Sequence, residues 1–210
     1  MHVGVLGASG SVGLHVVDTL LDRGHSVRAQ SRKAARLACF ESRAEIVAFE
    51  PGEAAVLGGF VAGLHAVIFA LGIAQNGPTT FFSGVTRALI PEMERAGVRR
   101  LVVITGVGAG ETRGHGGFLY DRMIFPLFTR HRYADKDRQE ALIAASSLDW
   151  VIVRPAPFAA TVPVGEMQVL TEVAPGTRLT KVTRAEVAAF VVAQVEGDRY
   201  LRMRPFIGHG

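Results

Sequence analysis

The sequence predicts an α/β fold, a single Rossmann-type, doubly wound and mostly parallel sheet with helices on both faces. Three observations predict it. Apolar runs alternate with helix-period segments along the chain, the signature of repeated strand–helix crossovers. A glycine-rich turn, Gly7-Ala8-Ser9-Gly10-Ser11-Val12-Gly13, directly follows the first apolar run and opens the first helical pattern. The 210 residues carry no internal repeat, low-complexity stretch or linker, so one domain over 1–210 is expected.

The expected strands are His2–Leu6, Ser26–Gln30, Glu45–Phe49, Ala66–Ala70, Arg100–Ile104 and Trp150–Arg154, the third having the weakest pattern. Between the first two, Ser11–Arg23 places Val12, Val16, Val17, Leu20 and Leu21 at helical spacing, with Gly24 as the stop signal. Ala54–Ala62, Phe81–Ala96 and Asp135–Ser146 read as further crossovers. Thr183 begins a capped helix with Glu186 at the third position, followed by the apolar face Val187, Phe190, Val191 and Val195. Two excursions over the substrate side are expected, around 106–134 and 156–182. Right-handed crossovers would bring all strand C-termini to one rim.

Composition narrows the function. With 49% hydrophobic and 20% charged residues the chain is globular rather than disordered. A net charge of +4 favours anionic ligands, yet no Lys/Arg block with interleaved aromatics suggests nucleic acid. The lone Cys39, expected as a partly buried thiol, rules out an internal disulfide. No H-E-x-x-H or comparable spacing suggests a metal. No apolar run approaches the roughly 20 residues of a membrane span. No signal-like segment precedes the first strand, so a cytoplasmic protein, monomer or homodimer, is expected.

The glycine turn carries the chemistry. A diphosphate needs main-chain N–H donors at close range, and glycine clears the β-carbon that would obstruct them. The helix N-terminus adds its free amides and dipole. Gly13, in the first helical turn, lets the helix pack closely. The choice of nucleotide follows from the second strand, which ends in Gln30-Ser31-Arg32-Lys33. A carboxylate there would accept from the ribose hydroxyls of NAD and repel a 2′-phosphate. Arg32 instead offers charge-assisted bonds to that phosphate, which favours NADP over NAD.

Taken with further segments, the chain resembles the atypical short-chain dehydrogenase/reductases that bind NAD(P)H, including the flavin reductase/biliverdin reductase B type and NmrA-like proteins. The resemblance rests on GASGSVG at 7–13, RGHSVRAQSR at 23–32, AVIFALG at 66–72, GVRRLVVITGVGAG at 97–110, LDWVIVRPAPF at 148–158 and TRAEVA at 183–188. Pro78-Thr79-Thr80 before a helix is similar to the flavin reductase branch. The resemblance implies that Gly7, Ala8, Ser9, Gly10, Ser11 and Val12 cradle the pyrophosphate and that Ser31, Arg32 and Lys33 face the 2′-phosphate. It implies Glu50 beside the adenine, although a plain surface carboxylate before Pro51 explains that residue equally. Ala70, Leu71 and Gly72 would line the adenosine side. Thr105, Gly106, Pro155, Ala156 and Phe158 would lie near the nicotinamide.

The departures concern catalysis. Ordinary members carry Y-x-x-x-K, with a Ser after the fifth strand. Here Tyr133-Ala134-Asp135-Lys136 is one residue short, and Gly106 stands at the Ser position with Thr105 beside it. Lys136, Thr105 and Tyr133 are therefore the catalytic candidates. Lys136 would approach the nicotinamide ribose or lower a neighbouring pKa, or else pair with Glu140 on an exposed helix face. Phe118, Tyr120, Phe125, Phe128 and Phe158 are available as lid or core, and His115 and His131 as lone loop histidines. The expected activity is an NADPH-dependent reductase of a flavin-, quinone- or similar conjugated acceptor. The alternatives are an NmrA-like NADP sensor without turnover and a nucleotide-sugar epimerase or dehydratase.

Overall fold

The strands of this protein alternate their side chains between two apolar layers, and that alternation explains why they read as near-continuous apolar runs. The computed structural model describes residues 1–74, 77–115, 122–123, 129–161 and 163–210. In chain order the elements are β1 (His2–Leu6), α1 (Gly13–Asp22), β2 (Ser26–Ser31), β3 (Glu45–Ala48), α2 (Ala54–Val61), β4 (Ala66–Phe69) and α3 (Phe81–Arg95). They continue with β5 (Arg100–Ile104), α4 (Arg130–Ala144), β6 (Asp149–Pro155), β7 (Gln168–Leu170), α5 (Arg184–Glu196) and β8 (Phe206–Gly208). Short 3-10 helices cover Ala34–Phe40 and Gly110–Thr112.

The sheet has eight strands in the order β3-β2-β1-β4-β5-β6-β8-β7. All neighbours pair in parallel except β7 with β8. The strand order reverses between β1 and β4, which run parallel, and this opens a crevice at their C-terminal ends, where ligands of such sheets bind. On one face Val5, Ile68, Val102, Val151 and Val153 pack with α1 and α5. On the other, Val67, Phe69, Leu101, Val103, Trp150 and Ile152 pack with α2, α3 and the inner side of α4. Burial on both faces removes the polar–apolar alternation of a half-exposed strand.

The six expected strands and the Rossmann order are present, with differences at element ends. β3 stops at Ala48 and β4 at Phe69, and α1 begins at Gly13 rather than Ser11. β7 and β8 were not anticipated. With three residues each, they extend the sheet beyond β6 and organise the excursion around 156–182. α4 begins at Arg130, well before the expected Asp135, because its buried face is Asp135, Gln139, Glu140 and Ile143. Polar residues on the inner side leave no apolar period to read. Cys39 is exposed, not partly buried. Gly117, Phe118, Tyr120, Phe125, Pro126 and Phe128 lie outside the described residues. No helix among the described residues is long and apolar enough to cross a membrane.

α5 starts as its sequence indicates. The Thr183 hydroxyl accepts from the Glu186 amide at 3.2 Å, and the Glu186 carboxylate accepts from the Thr183 amide at 2.8 Å. The same carboxylate meets His209 Nε2 at 2.8 Å, which ties the chain end following β8 to the helix. Thr183→Ala removes the capping hydroxyl together with one buried methyl group. It is expected to lower unfolding stability by about 1 kcal/mol in urea titration, with an unchanged denaturant slope.

Candidate functional site

The turn between β1 and α1 is as tight as its glycines require. Gly7 has φ +84°, and a β-carbon there would lie 2.8 Å from the Ala70 carbonyl oxygen. At Gly13 a β-carbon would stand 2.2 Å from the Gly7 oxygen and 2.8 Å from that of Ala8. Gly13 thus packs the helix onto the turn itself, main chain against main chain. The Gln30 side chain, from β2, accepts from the Gly7 amide at 2.9 Å and donates to Phe49 O at 2.6 Å. The Gln30 carbonyl takes the buried Ala8 amide. Among the described residues the amides of Ser9, Ser11 and Val12 make no main-chain hydrogen bond, which leaves them for an anion at the helix N-terminus.

Two cavities flank this turn. Ser9 borders the first, of about 650 Å³, together with Ser31, Arg32, Lys33, Arg36 and Glu50. Three cations on its wall meet one carboxylate. The Ser31 hydroxyl donates to Ser9 Oγ at 2.8 Å and accepts from the Lys33 amide at 3.1 Å, so the end of β2 is fastened to the turn. Arg36 belongs with these residues and was not singled out from sequence. Its clue was the spacing from Arg32 across a short helical segment.

Gly10, Ser11 and Val12 border the second cavity, of about 470 Å³, with Ala70, Leu71 and Gly72 from the end of β4. Ile104 and Thr105 close it at β5, Phe82 at the start of α3, and Arg132, Tyr133 and Lys136 along α4. Phe158, 42% exposed, stands on the rim after β6, with the Arg184 guanidinium 4.8 Å from its ring centre. Pro155 and Ala156 are buried. Their main-chain groups serve Val107 and Ile207, and they do not line the cavity.

The three catalytic candidates meet at the end of β5. Tyr133 and Lys136 are three residues apart and share one face of α4, so the short spacing does not separate them. Gly106, at φ +138°, makes room for the tyrosine, since a β-carbon there would lie 2.7 Å from the phenol oxygen. Lys136 Nζ donates to the Thr105 carbonyl and sits 5.2 Å from the Phe82 ring centre and 5.7 Å from that of Tyr133. Burial among these groups pushes the Lys136 ammonium down to about 8; the Glu140 charge opposes the shift and the Arg132 charge adds to it.

The Thr105 hydroxyl points away from this chemistry and donates to Glu140 Oε1 at 2.8 Å. Glu140 is buried and paired with buried Arg154, whose Nη2 lies 2.6 Å from Oε2. Arg154 also reaches Glu111 at 2.7 Å. Lys136 is therefore not an exposed residue paired with Glu140, as one sequence alternative held. Asp135, fully buried, accepts from the Phe82 amide at 2.7 Å and from the Ser83 hydroxyl, which caps α3 and locks α4 onto it. Sequence reasoning missed Asp135, Glu140, Arg132 and Arg154; an arginine inside the apolar run of β6 was the available signal. His115 is bound to the Thr177 carbonyl at 2.7 Å, and His131 borders a separate cavity beside Thr79 and Arg138. Among the described residues no group of three or more His, Cys, Asp or Glu is arranged to hold a metal.

Comparison with known proteins agrees with this geometry. A family model described as NAD(P)H-binding matches residues 7–198. The chain belongs to that family. No curated protein matches it by sequence. Among solved structures it is similar to an oxidoreductase from Lactococcus lactis at 17% identity, covering 100% of this chain and 91% of the other, with TM-score 0.81. An anaerobillin reductase from Escherichia coli O157:H7 aligns at 20% identity and TM-score 0.80, covering 100% and 97%. A candidate NAD-dependent epimerase/dehydratase from Bacillus halodurans aligns at 26% and TM-score 0.78, covering 100% and 94%.

Within the NAD(P)H-binding family, the contact of Gly13 with the turn gives a direct test. Gly13→Ala must displace main chain rather than a mobile side-chain tip, at a cost of about 1–3 kcal/mol in stability. The folded variant is expected to bind NADPH at least about tenfold more weakly by calorimetry.

Proposed function

We propose that the protein is an NADPH-dependent reductase of a planar, conjugated small molecule. The observation that carries this reading is that one glycine turn borders both cavities. Ser9 faces the cationic one, and Gly10 to Val12 face the one that holds Lys136. A dinucleotide needs that arrangement, with its diphosphate at the helix N-terminus and its two nucleosides on opposite sides. The turn residues fit the group, because their close-packed glycines and unused amides leave the approach that a diphosphate requires.

In this reading Arg32, Lys33 and Arg36 hold the 2′-phosphate, with Ser9 and Ser31 beside it, and Glu50 meets the adenosine. The cofactor supplies the hydride from its nicotinamide ring. Leu71, Ile104, Phe82 and Phe158 present a flat acceptor to it and exclude water, which strengthens the charges within. Lys136 Nζ donates the balancing proton to the acceptor atom that gains negative charge, and recovers it from solvent. A donor whose pKa lies near working pH suits that task. Thr105 positions the lysine through its carbonyl, and Tyr133 fixes the ammonium against its ring. Both an anaerobillin reductase and an epimerase/dehydratase-like protein stand among the similar structures, so the choice between them rests on the site itself. An NADP sensor of the NmrA-like kind needs no titrating lysine beside a 470 Å³ cavity.

Arg32→Ala is expected to weaken NADPH binding by about tenfold or more while leaving NADH nearly unchanged, as loss of a charge-assisted phosphate contact requires. Equal losses for both nucleotides would remove the phosphate assignment. Turnover should need protonated Lys136. With NADPH and a quinone or flavin, kcat/KM is therefore expected to fall as pH rises through about 8. Lys136→Met should abolish that limb and lower kcat by about a hundredfold. If wild-type protein binds NADP tightly yet oxidises NADPH with no acceptor of a broad panel, the sensor reading replaces this one.

A further inference from the structure

Beside the rim of the second cavity stands an arginine for which the helix that carries it gives no reason. Arg184 is the first residue of α5, where the cap is already complete between Thr183 and Glu186. The partial positive charge of a helix N-terminus disfavours a cation there. The Arg184 Nε is buried, and among the described residues it makes no hydrogen bond. The Glu186 carboxylate, two residues on, is taken by Thr183 and His209. What the guanidinium does meet is the Phe158 ring, 4.8 Å from its centre.

Phe158 lines the cavity and Arg184 does not, so the arginine acts on an occupant through the ring. The main chain beneath that ring is held on both sides. The Ala159 amide donates to the Val182 carbonyl at 2.8 Å, and the Val182 amide donates to the Pro157 carbonyl at 3.1 Å. The Ala156 amide donates to the Ile207 carbonyl at 2.9 Å, which joins the same segment to β8. Val182 lies two residues before Arg184, so the bridge that fixes the Phe158 main chain also fixes the start of α5. The backbone sets where the ring begins but not how it turns. At 42% exposure that turn needs a further contact, and the guanidinium supplies one.

We propose that Arg184 is a positioning residue that holds Phe158 as a stacking face for the acceptor, so that this rim recognises the flat face of a conjugated ring system. This rests on the reductase reading given above and extends it to how the acceptor is held. A cation over an aromatic ring is attracted by the negative face of its quadrupole, more strongly where water is scarce. It draws the ring's electron density toward itself, which favours an electron-rich ring system offset-stacked on the free face. Phe158 touches the acceptor, and Arg184 sets the ring that does so.

The test is a double-mutant cycle on the NADP-loaded protein, with riboflavin as a neutral, flat probe followed by fluorescence anisotropy. Arg184→Gln is expected to weaken riboflavin about fivefold and Phe158→Leu about tenfold, each with NADP affinity held within about twofold. The double variant should match Phe158→Leu alone within about twofold, because the arginine acts through the ring. Arg184→Lys keeps the cation and should recover most of the affinity. In turnover with NADPH and a naphthoquinone, Arg184→Gln should raise KM about fivefold with kcat changed by less than about twofold. A loss from Arg184→Gln as large in the Phe158→Leu background as in wild type overturns the proposal, as does an unchanged riboflavin affinity in Arg184→Gln. Wild-type protein that binds neither riboflavin nor the quinone overturns it too. Absence of NADPH oxidation by any flavin or quinone, with the coupling between Arg184 and Phe158 intact, would instead defeat the reductase reading and leave the stacking face standing.

Discussion

The main chain at the end of β1 passes so close to its neighbours that no side chain fits, and the rest of the site is arranged around that constraint. A β-carbon at Gly7 would collide with the Ala70 carbonyl, and one at Gly13 with the oxygens of Gly7 and Ala8. Those contacts bring β4, the turn and the start of α1 together, which places the two cavities on either side of one short loop. Polar support comes from β2. Gln30 holds the Gly7 amide and the Phe49 carbonyl, and Ser31 holds Ser9. The end of β2 therefore carries both the buttress of the turn and the cations beside it.

On the opposite wall a different device sets position. α4 has little apolar face to bury, so hydrogen bonds and ion pairs seat it. Asp135 accepts from the first amides of α3, where a carboxylate is favoured by the helix dipole as well as by direct bonds. Gln139 reaches Thr86, and Glu140 reaches Arg154 and Thr105. These contacts fix the helix in rotation and along its axis, and so fix Tyr133 and Lys136 relative to Thr105 and Gly106. Directional contacts suit a wall that carries reactive groups, because they specify one register where apolar packing tolerates several.

This division explains what was legible in the sequence. The strands from β1 to β6, apart from their ends, and the helices α1, α2, α3 and α5 are written in apolar period, caps and glycines, all local signals. So is the glycine turn after β1, because a steric need for glycine shows in the sequence. The start of α4 was not legible, since its buried side is made of Asp135, Gln139 and Glu140. Such residues read as solvent-facing until their partners, more than ten residues away in the chain, are known. β7 and β8 escaped for a related reason. Three-residue strands carry too little pattern, and their pairing with each other and with β6 is decided by tertiary contact. Tyr133 and Lys136 were named from a family pattern that they miss by one residue. On a helix the difference between three and four residues leaves both on the same face, so the shortened motif preserves the juxtaposition.

The buried Glu140–Arg154 pair bears directly on Lys136. Glu140 lies one turn beyond the lysine on α4, and its charge opposes the lowering of the ammonium's pKa. Arg154 lies against both carboxylate oxygens, at 3.2 Å from one and 2.6 Å from the other, and the Thr105 hydroxyl donates to the same group. Burial remains the largest influence on Nζ. Desolvation then prevails, and the ammonium settles at about 8. Thr105 joins the two systems, because its carbonyl receives the lysine while its hydroxyl serves the glutamate. A serine or alanine at this position would keep the carbonyl contact. Only the alanine would remove the hydroxyl that Glu140 accepts from, and with it the side-chain link between β5 and the buried ion pair.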